Sequence, residues 1–295
     1  MSFITEGNKT FSLGTSTICF LRRTKKRKMI SVICVYNNEK TFRDTLYKSL
    51  QIQTVPHDLI AIDNTEGRFA SAAQALNYGA SKASPDSAFL LFVHQDIEVC
   101  LPRFLEDVEL MLASLPSLGI AGVAGNVEGD KNFFSTITHG SPPFIAGRKI
   151  KAPFPVMTVD ECFVAIPRHI FEQHRFDDKL CDGWHLYTVE YCLRINLAGF
   201  KVYVIPASLH HQSTGMLKGD YFVTLARVLS KYRLSYNKIY TTCGCWNTRI
   251  PVLIQMVWFF VKKRFYSAAD RLIAWGVVPE WMQRKKRKRL QGNTD

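Results

Sequence analysis

Apolar runs that stop abruptly at polar clusters recur along the first two thirds of the chain. Residues 29–36, Met-Ile-Ser-Val-Ile-Cys-Val-Tyr, meet Asn37, Asn38 and Glu39; residues 58–62 run into Asp63 and Asn64; residues 89–93 are all apolar and give way at once to His94, Asp96 and Glu98. Short apolar runs bounded by polar turns are what strands buried on both faces of a parallel sheet require. Between them the period becomes helical. Phe42, Leu46 and Leu50 predict a helix over 41–53 closed by Pro56, and alanines at 70, 72, 73, 75, 80 and 83 predict a small-residue helix able to lie close on the sheet. Phe104, Leu105, Val108 and Leu112 predict another helix over 103–112, behind Pro102. This alternation predicts an α/β fold with a mostly parallel central sheet and flanking helices.

Further along, Ile120–Asn126 reads as a short strand of small residues, and the Gly- and Pro-rich run 129–155 as a substrate-facing loop or a pair of edge strands. Strand-like alternation returns over 156–166. An acidic, aromatic loop at 176–185 then feeds a helix over 185–196 that Gly199 ends, and 201–205 is a further strand. The remainder reads as helices at 221–232, 250–263 and 265–275. The expected organisation is a basic arm at 1–28, a nucleotide-binding domain at 29–218, a helical appendage at 219–281 and a basic tail at 282–295.

Composition alters this picture mainly through its distribution. Lys and Arg number 38 against 25 Asp and Glu, a net charge of +13. Twelve of those charges sit in two short runs, at 22–28 and 284–289, so the body is nearly neutral. A basic groove for nucleic acid is therefore not expected; the basic ends suit either contact with an anionic membrane surface or two solvated, poorly ordered charge runs. The eight cysteines are scattered without a CxxC pair, which fits reduced thiols in a cytoplasmic setting. No leader-like order of charges precedes an apolar run. The most apolar segment, 250–261, is too short to span a bilayer and is interrupted by Gln255; with Lys262, Lys263 and Arg264 after it, it suits either a bilayer interface or packing on the domain.

The strand ends supply the candidate chemistry. Asp63, the group His94, Asp96 and Glu98, and a later set of Asp182, Glu190, His210 and His211 are acids and imidazoles of the kind that hold a divalent cation, which in turn steadies a nucleoside diphosphate.

In order and spacing, Val32–Asn37, Ile60–Asn64 and His94–Gln95–Asp96 resemble the donor-site strands of inverting, family-2-type glycosyltransferases with the GT-A fold. The resemblance covers roughly residues 29–215. It implies transfer of a sugar from a nucleoside diphosphate sugar, with a uridine nucleotide favoured, to a saccharide or lipid-linked saccharide, using Mn2+ or Mg2+. It places Tyr36, Asn37, Asp63, Asn64, His94 and Asp96 around the donor, with Asp63 at uracil or ribose. Asp96 becomes the surer metal ligand, because His94 stands where the family usually has Asp, and Glu98 its support. The sequence His-x-Ser-x-Gly makes His211 the late ligand, with His210 its rival. Asp160, Glu161 and Trp184 are expected on the acceptor side.

The catalytic base is the point of departure from the family. In the run Tyr187-Thr188-Val189-Glu190-Tyr191-Cys192-Leu193-Arg194, Thr188 occupies the place where the family generally has the base Asp, and a threonine cannot act as a general base near neutral pH. Asp182 is the first replacement, followed by Glu190 and His185. Two other functions remain open on the sequence: a nucleotidyltransferase, although Asn37–Lys40 is no glycine-rich phosphate loop, and a noncatalytic nucleotide-sugar-binding protein, which Thr188 favours.

Overall fold

The computed structural model describes residues 29–130, 132–213, 219–261 and 264. Strands β1 (Met29–Tyr36), β2 (His57–Asp63) and β3 (Ser87–Val93) pair in parallel, with β1 between the other two. In the register Tyr36 lies opposite Asp63, so both polar strand ends emerge together. Strand β4 (Ile97–Val99) follows the turn after β3 and leaves the main sheet.

Next come β5 (Leu118–Gly122), β6 (Ala124–Asn126), β7 (Phe134–Ser135), β8 (Ile137–His139), β9 (Phe144–Ile145), β10 (Phe154–Val156), β11 (Thr158–Val159) and β12 (Phe163–Pro167). After them lie β13 (Lys201–Val204) and β14 (Leu209–His211). The seven-stranded sheet has the order β10-β13-β5-β12-β3-β1-β2. Strands β12 and β10 run against their neighbours, and the other five share one direction, in keeping with a mostly parallel sheet.

The expected single strand over 120–126 splits at Val123 between two sheets. Gly125 permits the tight part of that change, since a Cβ there would lie 2.5 Å from the Thr158 carbonyl oxygen. The 129–155 run supplies β7, β8, β9 and the start of β10 rather than one loop; β7, β9 and β10 are edge strands, while β8 lies between β14 and β9.

Helix α1 starts at Asn38, whose side chain accepts from the Thr41 N–H; it runs through Glu39–Phe42, a π-helical turn at Arg43–Tyr47, and Lys48–Leu50. With α3 (Phe104–Ser114) it covers one face of the sheet: Phe42, Leu46, Leu50, Phe104, Val108 and Leu112 join the apolar cluster there. Helices α2 (Ala72–Ala80), α4 (Arg168–Gln173) and α5 (Tyr187–Leu197) cover the other. The small residues of α2 bring it as close as expected, because a Cβ on Gly79 would sit 2.6 Å from Ile33.

Helix α6 (Gly219–Tyr232) packs on the far side of α5. After it the expected all-helical appendage contains instead a hairpin, β15 (Lys238–Thr241) with β16 (Gly244–Asn247), and then helix α7 over 252–261. Its Ile239, Tyr240 and Trp246 supply the strand signal. The expected arm at 1–28, helix at 265–275 and tail at 282–295 lie outside the described residues.

Candidate active site at the carboxyl ends of β1 to β3

The turn after β3 is tied to the end of β1 by a residue that motif reasoning passed over. Gln95 Oε1 accepts the backbone N–H groups of both Asn37 and Asn38, at 3.0 Å each, and its Nε2 donates to Asn37 Oδ1 at 2.7 Å. The middle position of a three-residue motif carries no sequence signal of its own. Here it fixes the loop on which Asn37 rides.

Opposite β4, strand β14 brings His211 to the cluster. His211 pairs with Ile97 and His210 with Glu98, and alternation along the strand sends the two histidines to opposite sides. His211 is buried, with Nε2 at 3.3 Å from Asp96 Oδ2 and 3.1 Å from Ser213 Oγ. His94, Asp96 and His211 each offer a ligand atom, all within 4.8 Å of one another. His210 turns to Thr138 Oγ1 instead, at 3.2 Å, so the choice between the two histidines falls on His211. Glu98 is exposed, on the side of β4 opposite the buried Ile97 and Val99, and no hydrogen bond ties its side chain to Asp96 among the described residues.

Burial works to raise the Asp96 carboxyl, but the hydrogen bond from His211, the electrostatic pull of the adjacent His211 and His94 rings and a hydrogen bond from Ser213 outweigh it and hold the acid well below the carboxylate range. Burial lowers His94, with the Asp96 charge only partly offsetting this. The outcome is an ionised carboxylate beside a neutral imidazole, which is the form each needs for ligation. Two imidazoles and one carboxylate thus fit a divalent cation of borderline softness. A third ring, His139 of β8, lies 5.5 Å from His211 and pairs with it in register. Its Nδ1 is buried with no hydrogen-bond partner among the described residues. It sits in the Gly- and Pro-rich run, where no periodicity marked it.

At the ends of β1 and β2, Tyr36 stacks on Phe42 at 4.7 Å, and burial followed by the adjacent Asp63 charge raises its phenol. Asp63 is exposed and held ionised by the backbone N–H and the hydroxyl of Thr65, both at 2.8 Å. Asn64 corrects an expectation. It is buried, with Oδ1 accepting from the Phe69 N–H and Nδ2 donating to the Phe69 carbonyl, so its side chain closes the 64–69 loop and does not face a ligand.

Asp160 and Glu161, expected on the acceptor side, lie between β11 and β12, directly beside His94, whose backbone N–H donates to the Cys162 carbonyl at 3.0 Å. Asp160 accepts from the Cys162 N–H and from Thr242 Oγ1, and these bonds outweigh burial and keep it ionised. Glu161 faces the N–H groups of Leu186 and Tyr187 at the start of α5, yet Oε1 has no well-formed hydrogen bond among the described residues. Burial, then the Asp160 charge, raises its carboxyl well above the ordinary glutamate range. His185 lies between two acids, Nδ1 at 3.9 Å from Glu161 Oε2 and Nε2 at 3.9 Å from Asp220 Oδ1. The left-handed Leu186 (φ 67°) makes the turn that holds His185 there, a conformation that costs a β- or γ-branched residue about 1 kcal/mol or more. Trp184 is exposed beside it.

Two candidates for the base are occupied elsewhere. Asp182 is exposed and ion-paired with Arg227 of α6, whose hydrogen bond keeps it ionised and lowers its basicity. Glu190 is fully buried and accepts from Arg194, Lys231 and the Tyr232 hydroxyl, an arrangement that locks α5 to α6. Thr188 is fully buried as well.

A family model described as "Glycosyltransferase like family" matches residues 31–220. Among curated proteins, "ATP synthase subunits region ORF 6" of Fuscovulum blasticum is 27% identical over 152 residues, 49% of this chain and 59% of that protein. Among solved structures, GalNAc-T7 with UDP, GalNAc and Mn2+ has a similar fold, with TM-score 0.52 and 14% identity over 70% of this chain and 48% of that one. The S. aureus TarS 1-349 complex with UDP-GlcNAc gives TM-score 0.50 and 12% identity over 72% of this chain and 68% of that one. At such identities the likeness is one of fold. The chain spans less than two thirds of the length of the curated relative and of GalNAc-T7.

Proposed function

The chain belongs to the glycosyltransferase-like family, and from that premise we propose that it transfers a sugar, with inversion, from a nucleoside diphosphate sugar to a hydroxyl of a saccharide or lipid-linked saccharide. A uridine nucleotide is the favoured donor. The observation that carries this reading is the group His94, Asp96 and His211 at the carboxyl end of β3, where an open α/β sheet positions its ligands. A divalent cation, Mn2+ or Mg2+, held by these three side chains would neutralise charge on the departing diphosphate.

The chain's own groups divide the remaining work. Tyr36 and Asn37 border the nucleotide, and the ionised Asp63 accepts hydrogen bonds from ribose or base. Glu161 and His185 together form the base. The enclosed Glu161 carboxyl holds a proton at higher pH than an exposed one, and the imidazole, 3.9 Å away, can relay a proton to it through one bridging water or a closer approach on acceptor binding. As the acceptor oxygen bonds to the anomeric carbon, its proton goes to this pair and the bond to the diphosphate breaks, its electrons leaving with the phosphate. Trp184 offers an exposed face for an acceptor sugar.

A noncatalytic donor-binding protein is the second reading, favoured by the buried Thr188 at the family's usual base position. A reducing, cytoplasmic location is supported by the free thiols of the seven described cysteines, four of them buried. Calorimetry with uridine diphosphate and Mn2+ tests the donor site: binding that Asp96→Asn and His211→Ala leave unchanged would remove it. Hydrolysis or transfer of the bound donor then separates the enzyme from the binding protein.

A further inference from the structure

Helix α7 shows an apolar surface on every side. Its inner positions Val252, Met256 and Phe259 pack on the cluster built by α6 and the hairpin, with Phe259 at 5.6 Å from Trp246 and 6.3 Å from Phe222. The one polar residue of the segment, Gln255, also points to the body: Oε1 accepts the Asn247 N–H at 2.7 Å and Nε2 donates to the Asn247 carbonyl at 2.8 Å. The polar interruption is therefore used up in anchoring the helix.

What remains outside is wholly apolar. Leu253 is 68% exposed, Val257 57%, Trp258 72% and Val261 57%, with Ile254 and Phe260 between them. A helix on an aqueous surface carries charged or polar groups at these positions, and a contiguous apolar stripe of this kind marks an interaction site. No helix among the described residues is long and apolar enough to cross a membrane.

We propose that the outer face of α7 docks on an anionic membrane surface, lying in the plane of the interface with Leu253, Val257, Trp258 and Val261 toward the acyl chains. The charge of the sequence selects this occupant. Lys262, Lys263 and Arg264 follow the stripe directly, and six more basic residues lie at 284–289, against a body that is otherwise nearly neutral. Anionic head groups complement those charges, while a second copy of the chain would bring an identical basic run against them. Trp258, amphipathic and the most exposed of the stripe, is the residue type that settles at the head-group level.

The test is flotation of the full chain with vesicles of phosphatidylcholine alone and of phosphatidylcholine mixed with phosphatidylserine, together with light scattering of the protein by itself. The expected result is a monomer that floats with the mixed vesicles, at least tenfold less with phosphatidylcholine alone, and less as salt rises. Val257→Glu and Trp258→Glu, both at exposed positions, should each lower flotation about tenfold or more while leaving the circular dichroism spectrum and the affinity for uridine diphosphate unchanged. Three results would overturn the proposal: flotation that neither substitution weakens; a dimer that both substitutions dissociate, which would give the face to a second copy; and a monomer that ignores anionic vesicles, which would mean that the chain's own residues after 264 cover it.

Discussion

His211 Nε2 lies 3.3 Å from Asp96 Oδ2 because β14 pairs antiparallel with the short β4 that follows the β3 turn. Distant segments of the chain thereby meet as one donor set of two imidazoles and a carboxylate. Imidazole-rich sets favour Mn2+ and later transition cations over Mg2+, which prefers oxygen. Calorimetry should show Mn2+ binding more tightly than Mg2+, with His94→Asp narrowing the gap. Asp96→Asn should lower Mn2+ affinity by more than the roughly 10- to 100-fold that loss of a merely supporting residue costs.

The assignment of the base predicts a specific split. Glu161→Gln and His185→Ala should each reduce sugar transfer about 100-fold or more, with uridine diphosphate affinity retained. Asp182→Ala should leave transfer within about tenfold of the parent, because that carboxylate is held by Arg227 on the surface of α6. Steady-state rates set against calorimetric affinities decide the matter.

Gln95→Ala removes the acceptor shared by the Asn37 and Asn38 amides. Hydrogen bonds of this kind contribute about 0.5–1.5 kcal/mol each, so losing the two should cost about 1–3 kcal/mol, read as a fall in donor affinity of up to roughly 150-fold through a loosened β1 loop and as a lowered thermal midpoint.

Glu190 is predicted to matter for stability and not for chemistry. Glu190→Ala leaves the positive charges of Arg194 and Lys231 facing an emptied site, and breaking a buried pair in this way costs ~3–5 kcal/mol. A fall in the denaturant midpoint would register it.

Asp96 and Glu161 give opposite pH dependences. Asp96 is lowered by folding, so its contribution is present above the ordinary aspartate range and fades as pH falls through the acid region. Glu161 is raised, so the folded state holds a proton that the unfolded chain has lost; stability therefore declines as pH climbs from the ordinary glutamate range toward the raised value. Glu161→Gln should flatten that decline in denaturant melts taken at successive pH values above the ordinary glutamate range.

Strands β1, β2 and β3 and helices α1, α2 and α3 were legible because each apolar run or helical stripe is local, and a buried sheet needs such runs whatever lies around them. The metal group was half legible. Asp96 ends a conspicuous strand, but the choice between His210 and His211 depends on which side of β14 faces β4, and the histidines looked like loop until that pairing placed them. Gln95 and His139 act through contacts that sequence spacing does not encode. Asn64, Glu190 and Asp182 are each engaged by other residues of the chain, and that was not legible for one reason: an acid or amide near a strand end or helix start looks the same whether its partner is a ligand or another residue. The hairpin escaped because Gly, Cys, Asn and Thr around Trp246 dilute its alternation.

That hairpin also bears on where the folding unit ends. The family match stops at residue 220, yet Asn126 Nδ2 donates to the Thr241 carbonyl, Thr158 Oγ1 to the Tyr240 carbonyl, and Thr242 Oγ1 to Asp160. A fragment cut at the family boundary would take the hairpin partners from the buried Asn126 and Thr158, remove one of the two side-chain hydrogen bonds of Asp160, and strip the apolar cover from α5. Homology and cooperativity thus draw different borders on this chain, and the segment that can fold extends past the segment that is recognisable.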